Sequence, residues 1–393
     1  MVQNNSLISL FSGIGGFEKG FNKQGFETLL SCEIEDKAQQ VMRKRFRGLQ
    51  IKDDVAQLKS LPRAKVLTAG FPCQNLSLVG NNSGIEGRDT KIVHDLFRLI
   101  YKTPTLDWIV LENVPFMLWQ KKGEAIEYIT RKLTEFGLNW AYRVVDVRAF
   151  GLPQRRRRVI IVASKKHDPR YVLFSDHVSE PSWILDDGEV PAGFSWTEGR
   201  YGVGWAPNCV PTIRGGSRVG VPSPPAIWFR DSGLVGTPTI TDAERLQGFP
   251  ADWTKLSNDA AKRDSFRWKL VGNAIPVPLA SWIAKRIKEP KQFDIKDIER
   301  KWQERVWPNA AYNLGDEIRR VEISEFPEEQ KCNGLATFLK DPVKPLSAKA
   351  TKGFLKRARE GKCKFKDGFL EALELHAEQV EQNKILPKTL DAA

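Results

Sequence analysis

The chain has 393 residues, with 61 Lys and Arg against 48 Asp and Glu, a formal net charge of +13. At 41% hydrophobic and 28% charged it is too apolar for a disordered chain, and its 30 Gly and 23 Pro follow no collagen-like or mucin-like period. The length suggests two or three domains, and the positive balance is an argument for a polyanionic partner, most often nucleic acid, not for a fold.

Residues 7–11 read as a short apolar strand running into a glycine turn, and 17–24 as a helix. A strand is predicted over 28–32, a helix over 36–46, a strand over 65–69, a helix over 92–101 and a strand over 108–111. A helix over 124–136 and strands over 141–147 and 159–163 follow. This alternation predicts an α/β fold, a doubly wound and mostly parallel sheet covered by helices on both faces. Near His167 the texture changes. To about Thr237 the chain is rich in Pro, Gly, Ser and Trp with little helical period, and Trp183, Trp196, Trp205 and Trp228 speak against disorder. A smaller, irregular β-rich domain is predicted there. Helical pattern returns at 242–246 and, amphipathic, at 278–287.

From Pro290 onward 20 Lys and Arg face 18 Asp and Glu, a net of +2, so the rest of the chain carries +11. Within it, 347–366 hold eight basic residues and one acidic, and 368–382 read as an acidic helix. Phe338, Phe354, Phe365 and Phe369 give this C-terminal helical extension an apolar contact to make. The expected organisation is a larger α/β domain over 1–166, a smaller domain over 167–262, a return to the larger domain over 263–289, and an extension of unassigned role over 290–393.

No apolar run reaches the ~18 residues of a membrane span, and the N-terminus lacks a basic start and a small-residue cleavage site, so neither span nor signal peptide is expected. Cys32, Cys73, Cys209, Cys332 and Cys363 are odd in number and form no Cys-x-x-Cys pair. His94, His167, His177 and His376 do not join them at ligand spacing. The expectation is free thiols in a reducing compartment and no metal.

Four stretches carry chemistry. In SLFSGIGGF (9–17), a strand delivers the chain into Gly13, Gly15 and Gly16 before a helix, which lets backbone approach a ligand closely. Glu33, at the end of the next strand, is placed to hydrogen-bond a ribose diol. The alternative is a plain turn, since the full dinucleotide spacing is missing. In AGFPCQNLS (69–77), Cys73 follows a buried strand, where ligands of doubly wound sheets bind; it is a nucleophile if its thiolate is favoured, or an inert buried thiol. In LENV (111–114), Glu112 follows the next strand and faces the same crevice, as a proton donor or as a partner for an arginine. In GLPQRRRRVIIVA (151–163), four arginines run into a strand, and strand alternation puts Arg156 and Arg158 on one face.

FSGIGG, GFPCQ, ENV, PQRRRR, ERLQGFP and VGNAIPVP, in this order, make the chain resemble the DNA (cytosine-5-)-methyltransferases of bacterial type II modification systems, over about residues 7–287. The resemblance implies the S-adenosylmethionine-dependent methyltransferase fold. It implies S-adenosylmethionine as cofactor and S-adenosylhomocysteine as product. Phe11, Gly13, Gly15, Glu33, Ile34, Asp54, Phe71, Asn273 and Ala274 match cofactor-site positions. Cys73, Glu112, Arg156 and Arg158 match the catalytic set, and Ser77, Gln154, Thr212 and Arg214 are the expected DNA contacts. The implied chemistry begins with Cys73 adding to carbon 6 of a flipped cytosine, while Glu112 holds ring nitrogen 3. Arg158 donates to O2, and Arg156 positions Cys73 or the backbone. Carbon 5 then accepts the methyl group of the sulfonium and Cys73 leaves.

Three places depart from the family pattern: GRDTKIV (87–93), Thr241 and Asp242 where Arg and Glu are usual, and the hundred-residue tail. The resemblance further implies double-stranded DNA as partner, a monomer, a companion restriction endonuclease, and a bacterial cytoplasmic protein associated with the nucleoid. A tRNA cytosine-5 methyltransferase on the same fold is the alternative; the sizeable region 167–237 favours DNA.

Overall fold

A computed structural model describes residues 5–72, 88–185, 188–216, 223–256, 265–292, 299–302 and 306–383. Cys73, Ser77 and the start of GRDTKIV lie outside the described residues. The chain divides into two compact units: 1–146 with 157–179 and 275–328, and 147–156 with 180–274 and 329–393.

The first unit is built on one ten-stranded sheet. Its parallel part centres on Ser6–Leu10, flanked by Glu27–Cys32 and then Gln50–Lys52 on one side, and by Val66–Ala69 and then Trp108–Asn113 on the other. Ser6–Leu10 and Val66–Ala69 are buried along their whole length, as strands covered on both faces must be. Strand order reverses at Ser6–Leu10, so the loops following it and Val66–Ala69 flank the crevice where such sheets bind ligands. Beyond Trp108–Asn113 the sheet turns antiparallel, through Arg157–Ser164 and Asn139–Asp146.

The helix Gly16–Asn22 lies against Val277–Lys288, and two glycines make that approach possible. A Cβ on Gly16 would sit 2.3 Å from the Ile275 carbonyl oxygen, and one on Gly20 would sit 2.5 Å from the Ala280 Cβ. Proline opens Val277–Lys288, and Lys285, Arg286 and Lys288 close it against the negative end of its dipole.

The segment after Glu289 is not set apart. Ala310–Asn313 pairs antiparallel with Asn139–Asp146, and Arg319–Val321 and Glu299–Lys301 extend the sheet further. Arg143 fastens this edge from inside. Fully buried, it donates to the carbonyls of Leu173, Asp176 and Ser324, and burial pulls its pKa down to about 9 despite Asp176 and Glu325.

The second unit carries an antiparallel five-stranded sheet in the order Ala206–Pro207, Ala192–Phe194, Ala226–Trp228, Val235–Thr237, Lys344–Pro345. The last strand comes from the tail. So do the helices Ala348–Glu360 and Phe369–Glu381, whose Phe354, Leu355, Phe369 and Leu373 are buried with Phe194, Ala226, Trp228 and Val235 in one apolar core. His376 joins the layers, accepting from Val235 N–H at Nδ1 and donating from Nε2 to the Leu346 carbonyl, an arrangement that selects the neutral ring. The unusual Thr241 and Asp242 are matched to the same tail. Asp341 accepts from Thr239, Thr241 and Arg245, while Asp242 accepts from the backbone N–H of Lys340 and Asp341.

Among the described residues no helix is long and apolar enough to cross a membrane, and no group of three or more His, Cys, Asp or Glu is arranged to hold a metal.

Candidate active site

The first unit gathers the glycine loop, Glu33, Phe71 and Glu112 at the carboxyl ends of neighbouring strands. Phe11 and Gly13 both take positive φ (57° and 56°), which turns the chain sharply at the end of Ser6–Leu10. The Gly13 N–H donates to the Glu33 carboxylate at 2.7 Å, and the Glu35 N–H donates to its other oxygen at 2.8 Å. Burial pushes the Glu33 pKa up, and these two N–H groups oppose that shift. Gly15 (φ 86°) begins the following helix where a Cβ would fall 2.4 Å from the Phe46 ring, so nothing larger fits. Next to Glu33, Ile34 stands 60% exposed, an apolar side chain open to a partner. Asp54 accepts from Ala56 N–H at 2.9 Å and caps a short 3-10 turn. Cys32, one of the free thiols, is buried near Glu33, and its pKa is pushed up to about 12 by burial and then by that carboxylate; it is inert.

The Glu112 carboxylate meets Arg158 Nε at 2.8 Å, and both side chains are nearly enclosed. Burial pulls the Arg158 pKa down while the Glu112 charge holds it up. Arg158 also donates to the Arg157 carbonyl at 2.7 Å. A Cβ on Gly70 would lie 3.2 Å from Glu112, so the loop leading to Cys73 passes directly over the carboxylate. Asn113 ties the same loop down, donating from Nδ2 to the carbonyl of the buried Phe71 at 3.0 Å, two residues before Cys73. A carboxylate held by one guanidinium can accept a proton or share one with a bound ligand.

The arginine run divides. Only Arg158 reaches Glu112; Arg157 pairs with Glu325. Arg156, in a break between the strands Gln154–Arg155 and Arg157–Ser164, belongs to the second unit and is buried there. It donates to the carbonyls of Ile213, Gly272 and Ala274. It thereby holds three backbone carbonyls of that unit.

Gln154 is fully buried too, donating to the Leu246 carbonyl and accepting from the Ile213 N–H. It braces the loop from within instead of facing solvent. Thr212 donates to the Arg155 carbonyl at 2.8 Å, and the half-exposed Arg214 pairs with Glu198. Under this loop lies Gly272, where a Cβ would be 2.3 Å from the Arg214 backbone. Asn273, at the exposed end of Ser265–Asn273, packs against Gly215, and the neighbouring Ala274 is buried. Thus the 211–216 loop is clamped by Gln154, Arg155, Arg156 and Gly272. Sequence reasoning missed Asn113 as a loop tether and Glu198 as the partner of Arg214. The neighbourhood of Asn113 to Glu112 was a signal for the first; no local signal exists for the second.

A family model for C-5 cytosine-specific DNA methylases matches residues 5–187 and 236–289. Type II methyltransferase M2.BsuMI of Bacillus subtilis (strain 168) is 44% identical over 379 residues, 94% of this chain and 97% of that protein, a span that includes most of the tail. Type II methyltransferase M.FnuDI of Fusobacterium nucleatum is 27% identical over 72% of this chain and 94% of its own. Among solved structures, the S. pombe Dnmt2 methyltransferase superposes with a TM-score of 0.53 at 16% identity, covering 72% of this chain and 98% of that one, which is a likeness of fold.

Proposed function

The chain belongs to the C-5 cytosine-specific DNA methylase family, and we propose that it methylates carbon 5 of a target cytosine in duplex DNA with Cys73 as nucleophile. The observation that supports this reading most is the Glu112–Arg158 pair, with Asn113 tethering the loop that leads to Cys73. In the proposed mechanism the target base leaves the stack, at a cost of a few kcal/mol. The Cys73 thiolate adds to carbon 6, and carbon 5 gains carbanion character. Glu112 holds the proton at ring nitrogen 3 as charge develops, and Arg158 donates to O2 while keeping Glu112 in place. Once carbon 5 carries the methyl group, departure of its proton and of Cys73 restores the aromatic ring.

We assign S-adenosylmethionine to the loop of Phe11, Gly13 and Gly15 with Glu33, Ile34 and Asp54. The donor set fits it: after the Gly13 and Glu35 N–H bonds, each Glu33 oxygen retains a lone pair for one hydroxyl of a ribose diol. Phe71, Asn273 and Ala274 complete the proposed cofactor set. When bound, this cofactor supplies a methyl group on a sulfonium. Target recognition we place in residues 167–262, with Thr212 and Arg214 at the DNA and Gln154 bracing them.

Methylation of DNA over tRNA is favoured by the relatives, which are named Type II methyltransferases. The same names support a restriction-modification role, beside a companion endonuclease specific for the same site. We propose a monomer acting in the bacterial cytoplasm on nucleoid DNA. Bisulfite sequencing of DNA from cells expressing the protein tests the activity and reads the site: one sequence is expected to become fully protected, and an unprotected genome would refute the reading. Cys73→Ala is expected to abolish transfer and retain DNA binding. A duplex with 5-fluorocytosine at the target is expected to trap a denaturant-resistant complex, since fluorine cannot leave as a proton does.

A further inference from the structure

We propose that the C-terminal helix Ala348–Glu360 is a positioning element for target recognition, acting through Arg357 on Glu198 and, through it, on Arg214. This rests on the reading that the 211–216 loop meets DNA.

Arg357 is half-buried against the neighbouring loop. Its Nε donates to the Glu198 carbonyl at 3.0 Å and its Nη2 to the Trp196 carbonyl at 2.7 Å. One planar guanidinium thereby fixes two carbonyls of an irregular loop, a geometry that its rigid fork suits. The helix end grips the same loop again. Glu360 pairs with Arg200 at 2.9 Å, and the Lys362 N–H donates to the Arg200 carbonyl at 3.2 Å. A Cβ on Gly361 would lie 2.7 Å from the Arg200 Cα, so glycine is required where helix and loop meet. Glu198, thus anchored through its backbone, extends its carboxylate to Arg214.

Arg214 is therefore held at both ends. Its backbone rests on Gly272 and next to Ile213, which Gln154 and Arg156 hold, while Glu198 orients its guanidinium. An exposed arginine pre-oriented by a carboxylate loses less freedom on meeting an acceptor pair, such as the edge of a guanine in the major groove. The tail supplies no base contact in this account. It fixes the loop from which Glu198 acts.

The test uses the full-length enzyme and its cognate duplex, read from the bisulfite pattern, with duplexes altered at single positions. Arg357→Met is expected to raise KM for the cognate duplex about tenfold and to narrow discrimination against altered sites by a similar factor, with kcat within about twofold. Arg357→Lys, whose ammonium still reaches carbonyls, is expected to recover most of both. The salt slope is expected to stay unchanged, because no phosphate contact is lost. Arg357→Met combined with Arg214→Met is expected to be no worse than Arg214→Met alone, as for residues acting in series. Wild-type KM and discrimination in Arg357→Met, or a salt slope lower by about one with discrimination intact, would overturn the proposal. If Arg357→Met fails to fold, Glu198→Gln leaves the loop and helix intact and is expected to show the same loss of discrimination; wild-type behaviour there overturns the proposal equally. Should Arg214→Met itself keep wild-type KM and discrimination, the DNA role of the 211–216 loop falls, whatever Arg357 does.

Discussion

Replacing Phe369 with alanine removes the residue on which the core of the second unit converges. Its side chain is fully buried, and its ring centroid lies 5.0 Å from Phe194, 5.0 Å from Trp205, 5.4 Å from Trp228 and 5.7 Å from Phe365. A Phe→Ala change in such a site costs about 3–5 kcal/mol, from lost transfer energy and the cavity left behind. The rigid aromatic neighbours cannot collapse into that cavity, which argues for the upper half of the range. With a urea slope of about 2–3 kcal/mol/M, the unfolding midpoint of this unit should fall by about 1.3–2.5 M. Indole fluorescence is a suitable probe, because Trp205 and Trp228 border the site. Leu375→Ala, on the same helix but 53% exposed, is the control, with an expected change within about 0.5 kcal/mol. A midpoint shift below about 0.3 M in Phe369→Ala would refute the conclusion that the tail is part of this core.

Glu112→Gln keeps an acceptor for Arg158 but removes the proton-holding carboxylate. It should fold normally and lose about 10²–10⁴ in kcat; single-turnover methyl transfer within threefold of wild type would remove Glu112 from the mechanism. Glu33→Ala deletes an acceptor for two loop N–H groups and the proposed ribose. It should weaken S-adenosylhomocysteine about 10- to 100-fold by calorimetry, and an unchanged Kd would place the cofactor elsewhere. Glu18 is fully buried, with one oxygen accepting from Ser31. Burial raises its pKa above the ordinary 4.5, against the hydrogen bonds of Ser12, Ser31 and Ser9. A raised carboxyl contributes stability that is fully present below the unfolded value and is lost as pH rises through the folded one. Glu18→Gln should therefore gain stability over wild type as pH rises above 4.5, and urea midpoints that stay parallel as pH rises would contradict it.

Much of the first unit was legible locally. Ser6–Leu10, Val66–Ala69 and Trp108–Asn113 are apolar runs bounded by turns, and burial on both faces of a parallel sheet demands that pattern. The glycine loop announced itself because positive φ at Gly13 and Gly15 leaves few other residues possible. Glu112 was placed at the crevice by its position just past an apolar strand. Expectation and structure part where side chains leave a strand's alternation. Arg156 and Arg158 were expected on one face; a break before Arg157 sends Arg156 to backbone carbonyls and leaves Arg158 with Glu112. Glu299–Lys301 and Arg319–Val321 had no apolar period to betray them, because they are short strands that owe their form to the partner beside them.

The residues alone determined the chemistry available to this chain: a glycine turn and an acid after adjacent strands, a cysteine after a third, Glu-Asn after a fourth, and arginines entering the next. Each is a local statement, since turn geometry and strand ends follow from neighbours in sequence. The tail was different. Phe338, Phe354, Phe365 and Phe369 signalled a contact to make but could not say with what. Only the tertiary structure decided that its first part lengthens the large sheet while Asp341, Phe354, Arg357 and Phe369 complete the second unit. Those pairings join residues about a hundred positions apart or more, and no periodicity in a chain records which distant surface will bury a given side chain.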